Sequence, residues 1–198
     1  WMSDAAHALV AAFRACGQPA EVLPLATEES LQLGRQHTTG KECLPCIVTT
    51  GDMLLKCREP GFERDRAAFF MPGGSGPCRF GQYNCYQKIV LNESGFDDIP
   101  VIAPNQDKQF YQDFKQFSKD PTRLAWIGIS TIDLFTKSLL SIRPYEVNPG
   151  EADRAYESAR EGLCRLIESN PPEEDIFRFI DGMAEKFDAV VVDRSTPR

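Results

Sequence analysis

The chain has only two histidines and two tryptophans among its 198 residues, and no run of Lys or Arg longer than two. With histidine so scarce and no G-x-S-x-G, a Ser/His/Asp hydrolase site has no support. The basic residues are scattered and the net charge is −7, which leaves no electrostatic footprint for nucleic acid. No apolar run approaches the roughly 18 residues of a membrane span, and no signal-peptide pattern opens the chain. A cytoplasmic protein is expected. The "MPGGSGP" stretch lacks both the G-K-[ST] ending and the G-x-G-x-x-G spacing of phosphate loops, so no ATP site is expected in this chain.

What is present points to a packed core. Apolar residues make up 42% of the chain, with 13 Phe, which excludes disorder. Periodicity predicts helices over 3–16 (capped by Ser3 or Asp4), from Thr27 to about Gln36, from about Cys46 to Lys56 and from about Arg79 to Asn92. Short buried strands are expected at 20–25, 66–72 and 99–104. Alternating strands and helices argue for βαβ units with a parallel sheet. Beyond residue 120 only helices are expected. One runs from Thr122 to Ile142 behind an Asp120 cap, one follows an Asn148 cap, and one follows Asn170 and reaches about Lys186. The expected fold is therefore α/β, a short parallel sheet flanked by helices over 1–119, then a helical segment over 120–198. The tail "FDAVVVDRSTPR" reads as a linker toward a further domain of a longer polypeptide.

Seven cysteines, an odd number, without a secretion signal argue against a disulfide framework. Four of them lie in "GKECLPC" and "GGSGPCRFGQYNC". Cys43 and Cys46 form a C-x2-C that lets two thiolates address one centre, and Cys78 follows 31 residues later. Cys46 and Cys78 are expected at helix beginnings, where unpaired N–H groups and the helix dipole favour thiolate. Cys85, two helical turns beyond Cys78, is about 10 Å away and fits one compact centre poorly. Zinc sites usually show a second close cysteine pair, so the spacing favours iron–sulfur. Three ligands would leave one iron of a [4Fe–4S] cluster open. Gly74 and Gly76 are expected to let the backbone approach such a cluster, and Arg79 to tune its charge, with Arg35 and Lys41 nearby. His37 reads as a loop residue, His7 as an ordinary helix residue, and Cys16, Cys57 and Cys164 as core.

The blocks "GRQHTTGKECLPCIVTTGDML", "FFMPGGSGPCRFGQYN", "IAPNQD" and "IRPYEVNPGEADR" resemble the large 2-hydroxyacyl-CoA dehydratase activase-related proteins, in order and over nearly the whole chain. The resemblance implies an oxygen-sensitive [4Fe–4S] cluster on Cys43, Cys46 and Cys78, and ATP-driven delivery of a low-potential electron for chemistry on CoA thioesters. ATP hydrolysis would belong to an acetate-kinase-type ATPase domain of the parent chain, and acyl-CoA is the implied substrate class. The segment alone is expected to be inactive. Two rival readings are a non-catalytic scaffold domain with structural zinc or no metal, and a CoA-thioester-binding domain in which the cluster is secondary.

Overall fold

The computed structural model describes residues 4–104 and 121–195. It combines helices with a small parallel sheet, as the α/β expectation requires. The chain forms two compact units.

The first unit holds α2 (Glu28–Arg35), α3 (Leu44–Arg58), β1 (Phe69–Phe70), α4 (Tyr83–Glu93) and β2 (Val101–Ile102). Helix α2 starts where Thr27 and Ser30 cap each other's backbone: Thr27 Oγ1 accepts from Ser30 N and Ser30 Oγ accepts from Thr27 N at 3.1 Å. Helices α2 and α3 pack backbone against backbone. A Cβ on Gly34 would lie 1.9 Å from the Ile47 carbonyl oxygen, and one on Gly51 would lie 1.8 Å from that of Ser30. Only glycine permits that approach.

Strands β1 and β2 pair in parallel, Phe69 opposite Val101 and Phe70 opposite Ile102, with α4 as the connection. Both strands are two residues long, shorter than the buried runs 66–72 and 99–104 suggested. Pro72, Pro100 and Pro104 bring no N–H to a ladder. Arg64–Arg66 turns as a 3-10 helix before β1. One more hydrogen bond, Gly73 N to the Pro104 carbonyl at 3.0 Å, extends the pairing past the strands' C-terminal ends. The strand expected at 20–25 is absent: residues 18–27 are coil, and no strand among the described residues pairs with them. Leu33, Met53, Leu54, Phe69, Val90, Leu91 and Ile99 form the core.

The second unit gathers α1 (Ala5–Ala15), α5 (Thr122–Ile142), α6 (Glu151–Glu168) and α7 (Glu173–Asp188). Helix α1 thus belongs with the C-terminal helices and not with the α/β portion, where the 1–119 boundary had put it. Ala8, Ala11 and Ala12 give it a smooth face, and a Cβ on Gly128 of α5 would come within 2.8 Å of Ala8 Cβ. Helix α6 buries Ala152, Tyr156, Ala159, Leu163 and Ile167, spaced at helical period. These meet Ile132 and Phe135 of α5 and Ile176 and Phe187 of α7. Burying each large side chain contributes about 1.5–3 kcal/mol.

In this second unit the caps of α1, α6 and α7 differ from the sequence expectation. Asp4 occupies the cap position of α1 without capping it; its carboxylate accepts from the Tyr156 hydroxyl at 2.6 Å. The cap of α6 is Gly150, at φ 80°, and the carboxylate of Glu146 accepts from Gly150 N and Ala152 N at 2.8 and 2.9 Å. Asn148 instead donates to Glu151. The cap of α7 is Pro172, and Asn170 turns the chain before it at φ 53°. The Asp120 cap and Ser3 lie outside the described residues. Among the described residues, no helix is long and apolar enough to cross a membrane.

Candidate metal centre

All three proposed ligands lie in the α/β unit, and two hydrogen-bonded features bring their segments together. The C-x2-C opens α3, two residues earlier than the helix expected from Cys46. Cys43 takes the cap position in extended conformation and Pro45 lies in the first turn, where its missing N–H costs nothing. Cys46 follows in the same turn, and its N–H donates to the Cys43 carbonyl at 2.9 Å. On the other segment, the Gly-rich stretch leaves the end of β1 and reaches Cys78. That residue precedes a 3-10 turn, Arg79–Gln82, which runs into α4 at Tyr83. The turn replaces the first part of the helix expected from Arg79.

Tyr83 is where the segments converge. Its ring is buried and edge-on to Phe80. Burial pushes its phenol up to about 12, with the cysteine side chains acting in the same direction. Tyr83 and Cys46 share one buried cluster, and Cys43 packs against it. Two bonds hold the Cys43 loop to the second segment. Arg79 Nη1 donates to the Lys41 carbonyl at 2.6 Å, and the Tyr86 hydroxyl donates to that of His37. His37 thus contributes its backbone.

The three thiols differ in setting. Cys46 is 4% exposed, and burial pushes its thiol up to about 11 against opposing pulls from Thr50 and Arg79. Cys43 is partly exposed and Cys78 is exposed. The Thr50 hydroxyl donates to the Cys46 carbonyl at 2.7 Å, fixing the turn behind the thiol. Gln87, buried on α4, donates to Thr49 Oγ1 at 2.9 Å and so ties α4 to the same turn of α3.

The other expected residues separate. Gly74 does pack backbone to backbone, but against Gly81: a Cβ on Gly81 would lie 2.1 Å from the Gly74 oxygen. Gly76 is exposed with open space around it. Cys85 is exposed on α4. Cys16 and Cys57 are buried, and Cys164 is partly buried against the helical core. Tyr83 is the residue the spacing of cysteines did not reveal, because nothing in a local pattern marks an aromatic ring as a neighbour of a sulfur 40 positions earlier.

The three cysteines lie on two segments that hydrogen bonds join, and thiolate is the donor that zinc and iron–sulfur groups take, so they fit such a group in kind. Among the described residues, no three His, Cys, Asp or Glu side chains stand together closely enough to hold an ion, so binding one would require the sulfurs to move inward. The exposed Cys78, on a turn between glycines, has the freest path. The chain matches no family model, no curated protein and no solved structure.

Proposed function

We propose that the α/β unit is the iron–sulfur-binding portion of a 2-hydroxyacyl-CoA dehydratase activase-like protein, taking part in ATP-coupled, low-potential electron transfer. The observation that carries this reading is that Cys46 and Tyr83 share one buried cluster with Cys43 packed against it, while the Arg79 bond to the Lys41 carbonyl ties the Cys78 turn to the same loop. A [4Fe–4S] cluster would supply a one-electron couple and, with three protein ligands, one open iron. Cys43, Cys46 and Cys78 would hold it, the start of α3 would supply the positive end of a helix dipole, and Arg79 would offset part of the negative charge. ATP hydrolysis belongs to an ATPase domain elsewhere in a longer cytoplasmic chain, and acyl-CoA is the substrate class.

The test is anaerobic reconstitution of the reduced protein with ferrous iron and sulfide, followed by metal analysis and electron paramagnetic resonance after reduction. Uptake of about four irons with matching sulfide, and a cluster signal, supports the reading. Stoichiometric zinc with no iron uptake overturns it in favour of a scaffold domain.

A further inference from the structure

We propose that Cys43 and Cys46 form a reversible disulfide by exchange with a low-molecular-weight or protein disulfide, Cys43 receiving the attack and Cys46 resolving it. The inference stands on the geometry of one helical turn and does not require that the site ever holds metal.

Cys43 is the extended cap residue of α3, at φ −67° and ψ 141°, and Cys46 lies three residues on in the first turn. Helix geometry places their Cα atoms about 5–6 Å apart, inside the range a disulfide spans. The backbone bond from Cys46 N to the Cys43 carbonyl fixes that separation, and Pro45 between them removes one freedom. Exposure divides the labour. Cys43 is partly exposed and admits a bulky partner, whereas Cys46 is 4% exposed and is reached from Cys43 alone.

In the first step the Cys43 thiolate attacks R–S–S–R. That S–S bond breaks, Cys43–S–S–R forms, and RS⁻ leaves to take up the proton Cys43 gave to water. Cys46, deprotonated in turn, attacks the Cys43 sulfur and expels the second RS⁻. Two protein thiols lose two electrons and R–S–S–R becomes two R–SH. The product withdraws two sulfurs from any metal, so oxidation and loading exclude each other.

The experiment reduces the full chain, desalts it without oxygen, exposes it to oxidised glutathione and alkylates it under denaturing conditions. Trypsin cuts after Lys41 and Lys56, so both cysteines fall in one peptide, ECLPCIVTTGDMLLK. That peptide is expected unalkylated and two hydrogens lighter than the dithiol. Cys46→Ser is expected to stall with glutathione on Cys43. In Cys43→Ser, where serine suits a cap, Cys46 is expected to stay free and take a single label. Two labels on the wild-type peptide, pairing of Cys43 with Cys78, or glutathione on Cys46 of Cys43→Ser at the wild-type rate would each overturn the proposal. Failure of the reduced protein to take up iron would count against the cluster and leave this result unchanged.

Discussion

Arg79 Nη1 donates to the Lys41 carbonyl at 2.6 Å, holding the turn before α4 against the loop before α3. Tyr83 is buried in one cluster with Cys46, and Tyr83→Phe keeps the ring in place and removes only the hydroxyl. Metal held by the neighbouring thiolates is then expected to bind about tenfold or more weakly. The urea midpoint should move by no more than about 1 kcal/mol in stability. An unchanged cobalt affinity, read from the sulfur-to-cobalt absorption band, would remove Tyr83 from the site.

Cys78 and Cys85 are both exposed, but Cys78 precedes the turn that Arg79 ties to the Lys41 loop, whereas Cys85 lies within α4. Cys78→Ser is expected to abolish cluster assembly on reconstitution, and Cys85→Ser to leave iron content at the wild-type level. Equal loss in both variants would bring Cys85 in as a ligand.

The glycine contacts between α2 and α3 carry a prediction about stability that reaches the site. Gly34→Ala forces a methyl against the Ile47 carbonyl, one residue after Cys46. The clash is backbone on backbone and has no side chain to yield, so a loss of about 2–3 kcal/mol is expected in urea unfolding. The same shift should unseat the Cys46 turn and lower metal uptake, whereas Gly76→Ala, in open space, should do neither.

Glu146 offers a pH test in the helical unit. The N–H groups of Ala152 and Gly150 hold its carboxyl below the usual value of 4.5. A carboxyl depressed in the folded state adds stability in full above its unfolded pKa and loses it as pH falls through the folded one. Melting temperatures followed by circular dichroism from about pH 7 down to about pH 3 should therefore decline for the wild type. Glu146→Gln should melt lower at neutral pH and decline less on acidification. Parallel curves would refute the role.

Local chemistry told most of the helical story. Thr27 marked α2, Gly17 closed α1, and the Asn148-Pro149-Gly150-Glu151 run placed the start of α6. Two of the helix caps were missed because another group took the place of the expected one. Glu146 caps α6 in place of Asn148, and Tyr156 claims the Asp4 carboxylate that would have capped α1. The strands came out short because prolines bound them, a restriction that hydrophobic density alone overlooks. At the site, the C-x2-C and its helix start were legible because three residues fix them. Tyr83 and the bonds from Arg79 and Tyr86 were not, since each joins segments that sequence keeps dozens of residues apart.

Ala8 lies against Gly128, and that contact orders events during synthesis. Helix α1 is translated well before α5, α6 and α7, whose apolar faces receive it. Until α5 emerges, Ala8, Ala11 and Ala12 lack the partners that bury them, so an early-made helix is enclosed late.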